Sequence, residues 1–313
     1  MGFGQYEVHF APLQGYTDAT FRNAFNRFFG AVDLYYTPFI RMENGGCRKR
    51  DIREIDLDAN AVCRLVPQIM AGSRDEFCFL VDLLQSKGYR DIDLNLGCPF
   101  PPVASKRKGA GILPYPELIA EMLTAIRTYP DLSFSVKMRL GWENSQECLA
   151  VGTILNELPL KHVTMHARIG KQQYKGETLP DAFSAFYECC KHPLFYNGDL
   201  VTAEQIHKIT QRFPALKGVA LGRGLLANPF LAKEYKEGVI EDAHQKMSVY
   251  QQFHEYLMEH YASSLQGDAH LLMKMKTFWE YFFPEADRKC LKSIKKANKL
   301  QQYTEAVKKI WMI

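Results

Sequence analysis

The sequence has few of the features that mark membrane-spanning, secreted or metal-binding chains. No window of the 313 residues approaches the roughly 18 consecutive apolar residues of a membrane span. The first residues lack the basic start and apolar run of a signal peptide. The eight cysteines include no C-x-x-C pair, which argues against a disulfide scaffold or a zinc ribbon. We therefore expect a cytoplasmic protein that binds neither a membrane nor a metal ion.

The chain also has no large excess of charge of one sign, because its net charge is only +4 at pH 7. The basic residues are concentrated near the end of the chain, where residues 270–313 hold ten Lys or Arg against four Asp or Glu. Arg288, Lys292, Lys295 and Lys299 recur at helical spacing and are predicted to line one helix face. Such a stripe suits contacts with the phosphates of a nucleic acid, although a solvated helix face is an equally frequent alternative.

Short runs of β-branched and aliphatic residues alternate with amphipathic stretches as far as about residue 238, which predicts repeated βα units and a parallel sheet. Capping patterns at Ser73 and Thr202 predict two of the helix starts. Eight strand-like runs occur, at residues 8–12, 34–39, 63–70, 91–96, 134–139, 162–166, 194–197 and 218–221. Eight units predict an α/β chain with a (β/α)₈ TIM barrel over residues 1–240, with an open doubly wound sheet as the alternative.

The pattern from Asp242 onwards is helical, and strand-like runs no longer occur. Tyr250, Phe253, Tyr256, Leu257 and Tyr261 fall on one predicted helix face. We therefore expect residues 241–313 to form a small, all-helical C-terminal domain.

Polar residues that are poor core residues follow most of the strand-like runs. Active sites of barrels lie at the carboxyl ends of the strands, so these residues are candidates for one shared site. The turns Asn197-Gly198-Asp199 and Gly222-Arg223-Gly224 follow the seventh and eighth runs, where barrels commonly bind phosphate; a tight turn without a ligand is the alternative for either alone. Lys137 and His166 are expected on the same rim, where they could contact a phosphate or ribityl oxygen.

No Walker loop, G-x-G-x-x-G fingerprint or H-E-x-x-H helix is present, so a phosphate site in a barrel points to a flavin mononucleotide or a sugar phosphate. Gln68, Asn95 and Lys137 suit the polar edge of a flavin ring. Cys98 stands between Gly97 and Pro99 at the end of the fourth run. A free cysteine is usually a small buried hydrophobe, but a thiol in this position could donate or accept a proton.

Together these segments resemble the tRNA-dihydrouridine synthases. The most specific match is Asp93-Leu94-Asn95-Leu96-Gly97-Cys98-Pro99, followed at the family's spacing by Val103 and Gly109-Ala110. Further matches are Ala11 to Asp18, Val136 to Trp142, His166-Ala167-Arg168, Asn197-Gly198-Asp199 and Gly222-Arg223-Gly224. The segment from Thr37 to Arg41 and the Arg139-Leu140-Gly141-Trp142 sequence most resemble the bacterial C-type subfamily.

The resemblance implies an enzyme that reduces the C5–C6 double bond of a uridine in the tRNA D-loop, with FMN as cofactor and NADPH as reductant. It implies hydride transfer from N5 of the flavin to C6 and protonation of C5 by Cys98. It places flavin contacts at Pro12, Leu13, Gln68, Lys137, His166, Asn197, Gly198, Asp199, Gly222 and Arg223. It places RNA contacts at Asn95, Arg168, Tyr174, Arg41, Lys292, Lys295 and Lys299. We expect a monomer.

The chain departs from the family pattern at three places. Phe100-Pro101-Pro102 stands where many members carry a lysine, a role that Lys106 or Lys108 could take over. The usual Asp-Trp and His-Gly-Arg sequences are Asp181-Ala182-Phe183 and His166-Ala167-Arg168 here. Two other functions stay open: a flavin oxidoreductase of a small pyrimidine, similar to dihydroorotate dehydrogenase, and a non-catalytic RNA-binding protein. The first leaves the basic helices without a purpose, and the second leaves Cys98 and Lys137 without one.

Overall fold

The computed structural model describes residues 6–312. Within them the strands are β1 Glu7–Phe10, β2 Leu34–Tyr36, β3 Met42–Glu43, β4 Gly46–Cys47, β5 Leu65–Val66, β6 Gln68–Ile69, β7 Asp91–Leu96, β8 Ser133–Gly141, β9 Leu160–Ile169, β10 Leu194–Asn197 and β11 Gly218–Leu221. The helices are α1 Ala19–Phe28, α2 Lys49–Glu54, α3 Arg74–Ser86, α4 Pro101–Ala104, α5 Pro116–Leu123, α6 Glu147–Leu155, α7 Pro180–Cys189, α8 Ala203–Arg212, α9 Arg223–Ala227, α10 Leu231–Glu237, α11 Ala243–Ser264, α12 Gly267–Phe278, α13 Arg288–Lys296 and α14 Leu300–Trp311. Short 3₁₀ turns span Gly109–Ile112, Thr124–Thr128 and Gly170–Gln172.

A parallel sheet in the order β5-β2-β1-β11-β10-β9-β8-β7-β6 forms the barrel. Its two ends belong to one stretch of chain, because only Pro67 separates β5 from β6. β5 pairs with β2 on one side, and β6 pairs with β7 on the other. Proline has no N–H to donate to a ladder, which explains why the third predicted strand is divided at this point. The predicted (β/α)₈ barrel is thereby confirmed, and the open doubly wound sheet is excluded.

The helices begin where the sequence pattern predicts. The Ser73 hydroxyl accepts a hydrogen bond from the Glu76 amide at 3.3 Å at the start of α3. Thr202 and Gln205 form a reciprocal capping box at the start of α8. The apolar face of α3 is fully buried against the barrel, which is the expected position of a crossover helix.

The inside of the barrel is unusually polar. Side chains alternate between the two faces of a strand, so every second residue of β7, β8 and β9 points inward. Barrel interiors are usually filled with bulky aliphatic side chains. Here buried polar side chains occupy many of these positions: Asp93, Asn95, Ser135, Arg139, His162, Thr164, His166 and Arg168. A polar column therefore runs through the barrel to the carboxyl ends of its strands.

Helix α11 packs against α1, and Lys274 of α12 contacts the loop after β1, whereas α14 packs on α12 and α13. Tyr250, Phe253, Leu257 and Tyr261 of α11 are buried as predicted, whereas Tyr256 is half-buried. Phe253 meets the rings of Phe21, at 5.6 Å between centroids, and of Phe28 at 5.9 Å. No helix among the residues described here combines the length and apolar character needed to cross a bilayer.

The prediction that Arg288, Lys292, Lys295 and Lys299 line one helix face is wrong for Lys299. Arg288, Lys292 and Lys295 lie on α13 and are exposed, but α13 ends at Lys296. Ala297 leaves the helix with an extended backbone, its side chain is buried, and its carbonyl accepts a hydrogen bond from Lys276 Nζ at 2.9 Å. Lys299 therefore precedes α14 and does not continue the face of α13.

Candidate active site

A cavity lies at the carboxyl ends of the barrel strands. Most of the predicted site residues line it. They are Pro12, Leu13, Gln68, Asn95, Cys98, Lys137, His166, Tyr174, Asn197, Gly198, Asp199, Gly222 and Arg223. The structure does not place Arg41, Arg168, Lys292, Lys295 or Lys299 on the lining.

A chain of hydrogen bonds with one fixed direction runs beneath the cavity. The buried carboxylate of Asp93 accepts from Ser135 Oγ at 2.5 Å and from Gln68 Nε2 at 2.7 Å. Gln68 Oε1 in turn accepts from Asn95 Nδ2 at 2.7 Å. Asn95 Oδ1 then accepts from the backbone amides of Gly97 and Cys98, at 3.0 and 2.8 Å. Because Asp93 as a carboxylate is only an acceptor, it fixes the orientation of both amides and thereby the loop that carries Cys98.

Cys98 is half-buried and faces the cavity. Burial raises the pKa of its thiol, and this effect exceeds the opposite effects of the Phe100 backbone and of the charges of Arg139, Arg41 and Lys137. The group therefore keeps its proton at neutral pH, as an acid must. Gly109 packs against it with φ at +59°, and a Cβ atom there would lie 2.7 Å from the carbonyl oxygen of Cys98. Only glycine fits this position.

Lys137 and His166 face the cavity as donors without a protein partner. Neither side chain hydrogen bonds or pairs with another residue in the described part of the chain. Burial, assisted by the charge of Arg139, lowers the pKa of Lys137 to about 8 and holds the pKa of His166 well below its ordinary value. Lys137 is therefore still largely charged at neutral pH, whereas His166 is neutral. These two donors are free to bind an anionic or carbonyl-bearing ligand.

Asp199 links two arginines at the turn after β10. Its carboxylate accepts from Arg168, which is buried, and from Arg223 at 2.5 Å, which is partly exposed. Burial raises the pKa of Asp199, but the hydrogen bonds and charges of the two arginines outweigh it and lower the pKa overall. Arg168 also donates to the Gly176 carbonyl at 2.5 Å, so in this structure it supports the turn from behind.

Tyr174 extends over the mouth of the cavity. The guanidinium groups of Arg139 and Arg223 lie 5.4 and 5.1 Å from the centre of its ring, within the range of cation–π contacts. Arg139 is itself fixed from below, because it donates to the carbonyls of Gly97 and Ile169. Arg41, by contrast, is held outside the cavity by Glu43.

Sequence reasoning missed the supporting roles of Asp93 and Ser135. Their signal was present in β8, where Ser133, Ser135, Lys137 and Arg139 alternate with apolar residues. A polar residue at every second position of an otherwise buried strand indicates a polar barrel interior.

Comparison with known proteins identifies the family. The family model described as "Dihydrouridine synthase (Dus)" matches residues 9–310. The tRNA-dihydrouridine synthase B of Pasteurella multocida strain Pm70 is 26% identical over 251 residues, which are 78% of this chain and 74% of that relative. The tRNA-dihydrouridine(16) synthase of Aquipseudomonas alcaligenes is 28% identical over 250 residues, 73% of this chain and 74% of that one.

Among solved structures, morphinone reductase superposes with a TM-score of 0.51 at 12% identity, over 78% of this chain and 93% of that one, which is a likeness of fold. The family match extends across both the barrel and the helices that follow it, and it includes the loop of Cys98 and the turns that line the cavity. The chain belongs to the dihydrouridine synthase family.

Proposed function

We propose that the protein is a flavin-dependent tRNA-dihydrouridine synthase, which uses FMN and NADPH to reduce the C5–C6 double bond of one uridine in the tRNA D-loop. One observation carries the proposal: Cys98 faces the same cavity as Lys137 and His166, two donors for which residues 6–312 supply no partner. Burial, which raises the pKa of the thiol, suits Cys98 to act as an acid. The family membership supports the substrate class.

The donors of the cavity fit FMN. Lys137 and Gln68 would face the polar edge of the ring, and His166 would donate to the ribityl chain or phosphate. The turns of Gly198 and Gly222 would hold the phosphate together with Arg223. Gly198 has φ at +149°, and a Cβ atom there would lie 2.9 Å from Thr178, so glycine keeps this turn compact and close to a ligand. Pro12, Leu13, Asn197 and Asp199 complete the contacts that we propose for the cofactor. When bound and reduced by NADPH, FMN supplies a hydride to C6 of the uracil.

Cys98 completes the reduction with a proton. Hydride addition at C6 moves the electron pair of the double bond to C5 and O4, which build up negative charge. The thiol of Cys98 donates its proton to C5, the S–H bond breaks, and the thiolate takes a new proton from solvent at the mouth of the cavity. The charges of Arg139, Arg41 and Lys137 favour the thiolate that forms in this step. A positioned acid of this kind contributes about 10²–10⁴ in rate.

The RNA would contact both parts of the chain. We propose that Asn95 and Tyr174 meet the uracil and that Arg41 lies near the RNA strand. Arg168 would act indirectly, by holding the turn that carries Asp199. Lys292, Lys295 and Lys299 are exposed and would meet RNA phosphates. We also propose that residues 1–240 form the catalytic domain and residues 241–313 the tRNA-binding domain of a cytoplasmic monomer that needs no metal ion.

Nucleoside mass spectrometry tests the function. Purified protein is incubated with NADPH and tRNA that lacks dihydrouridine, and the expected result is one uridine that gains two hydrogens. Mapping the modified uridine by fragment also tests the resemblance to the C-type subfamily. Relatives named tRNA-dihydrouridine synthase B and relatives named tRNA-dihydrouridine(16) synthase match at similar identity. If tRNA gains nothing while free orotate or uridine is reduced, the small-pyrimidine oxidoreductase replaces this proposal.

Cys98→Ala tests the mechanism. The variant should keep its flavin and the oxidation of NADPH, because the thiol is not needed for either, but lose at least about 10²-fold in uridine reduction. Cys189→Ala is the control, since Cys189 is exposed at the end of α7 and does not line the cavity. Normal uridine turnover by Cys98→Ala would remove Cys98 from the mechanism.

A further inference from the structure

A second cavity opens from the outer edge of the active-site cavity. It has a volume of about 990 Å³, and Cys98, Tyr174 and Arg223 line both cavities. Beyond these shared residues its walls include Phe100 and Pro101 from the loop after β7. We call this second cavity the outer pocket. A ligand in the outer pocket would therefore lie beside whatever is bound at Cys98.

The outer pocket contains the two most exposed aromatic side chains among residues 6–312. Phe100 is 57% exposed and Tyr174 is 48% exposed. Phe79, on the outer side of α3, is the next at 39%. Scattered exposed apolar residues are ordinary, but two exposed aromatic side chains that line one pocket beside a polar cavity indicate a binding surface.

The backbone that carries Phe100 is fixed before any ligand binds. Phe100 lies between Pro99 and Pro101, and its carbonyl accepts hydrogen bonds from the amides of Val103 and Ala104, both at 2.9 Å. Tyr174 is held by cation–π contacts with Arg139 and Arg223, whereas the ring of Phe100 is 57% exposed. A flat ligand can therefore stack on Phe100 without first rearranging the backbone that carries it.

The far wall of the outer pocket is also aromatic. Tyr16, from the loop after β1, and Tyr281, just after α12, meet edge to face with 5.3 Å between ring centres. Tyr16 also donates a hydrogen bond to Glu280. The outer pocket thus lies where the barrel loops meet the C-terminal helices.

We infer that the outer pocket binds a second base of the RNA, the one adjacent in the strand to the uridine that is reduced, and that Phe100 is the surface on which this base stacks. The inference rests on the proposed function. Stacking on an aromatic face is open to every base, so Phe100 would hold the strand without selecting its sequence.

The test combines a protein variant with a changed RNA. Wild type and Phe100→Ala are compared on tRNA that carries the natural base, or an abasic residue, on each side of the target uridine. With natural tRNA, Phe100→Ala should lower kcat/KM by roughly 5- to 150-fold, the range for one stacked base. With the abasic residue on the correct side, wild type should fall by a similar factor, and Phe100→Ala should cause no further loss.

Controls separate stacking from damage to the fold. Phe100→Trp should restore most of the activity, because it keeps an aromatic face, whereas Phe100→Leu should not. Phe79→Ala removes an exposed phenylalanine outside both cavities and should leave kcat/KM unchanged. Flavin content, measured by absorbance, shows whether the inner cavity is intact in each variant.

The outcomes distinguish the two proposals. If wild type reduces uridine in natural tRNA but Phe100→Ala loses the same factor on all RNAs, or loses nothing, only the outer-pocket inference is overturned. If wild type reduces no uridine in tRNA, the proposed function fails and the inference fails with it.

Discussion

Replacing Gly109 by alanine tests how closely the Cys98 loop is constrained. Gly109 has φ at +59°, in the left-handed region, and follows the basic cluster of residues 106–108. An added Cβ atom would lie 2.7 Å from the carbonyl oxygen of Cys98 and 2.8 Å from its Cβ atom. These atoms belong to or adjoin the backbone, so they cannot move aside without displacing the Cys98 loop.

Two effects set the expected size of the change. A non-glycine residue in the left-handed conformation costs about 1–2 kcal/mol. Forcing an extra methyl group into a packed site costs about 1–3 kcal/mol more. Gly109→Ala should therefore lower the free energy of unfolding by about 2–5 kcal/mol. A displacement of about 1 Å at Cys98 should also slow uridine reduction by roughly 10²-fold.

Gly30 provides a matched control. Its φ is +60°, but a Cβ atom there would meet nothing within 4 Å. Gly30→Ala should therefore show only the conformational cost and keep full activity. Urea denaturation and single-turnover uridine reduction are measured on both variants. If the two lose equal stability, or if Gly109→Ala retains its activity, contact with Gly109 does not position Cys98.

Two further perturbations test the support of the site. Lys274 Nζ lies 2.8 Å from the carbonyl oxygen of Gly15 and 2.6 Å from the carboxylate of Asp18. Lys274→Met should therefore lower the free energy of local opening of residues 13–18 by about 1–2 kcal/mol and speed their amide hydrogen exchange. Exchange in α3 should stay unchanged. Burial raises the pKa of Asp93 to about 6, so the folded state keeps a proton that the unfolded state has released, and stability falls as pH rises from about 4 to 6. The difference in unfolding free energy between wild type and Asp93→Asn should change by about 3 kcal/mol over this window, and a constant difference would mean that Asp93 does not titrate there.

Much of the architecture could be predicted because it depends on local pattern. All eight strand-like runs became barrel strands, and the capping patterns at Ser73 and Thr202 mark real helix starts. Polar residues at the ends of the barrel strands converge because these strands are all parallel. The position of these residues thus followed from topology, without knowledge of any side-chain contact.

The remaining features depend on contacts between distant residues. The pairing of Arg168 with Asp199 joins residues from two strand ends, so neither the sequence pattern nor the resemblance, which implied an RNA contact for Arg168, indicated it. The separation of Lys299 from α13 depends on the burial of Ala297 and its bond to Lys276. Pro67, in contrast, was a local signal for the division of the third strand.

The C-terminal helices complete the site as well as carrying the basic residues. The loop after β1 supplies Leu13 and Gln14 to the active-site cavity. Side chains of the helices hold the same loop, because Tyr261 donates to Asp18 Oδ1 at 2.7 Å and Lys274 contacts Oδ2 of the same carboxylate. If RNA binds these helices as proposed, they connect it to a loop of the catalytic cavity through hydrogen bonds of Tyr261 and Lys274. Binding of the tRNA body and positioning of the uridine are thereby expected to be energetically coupled.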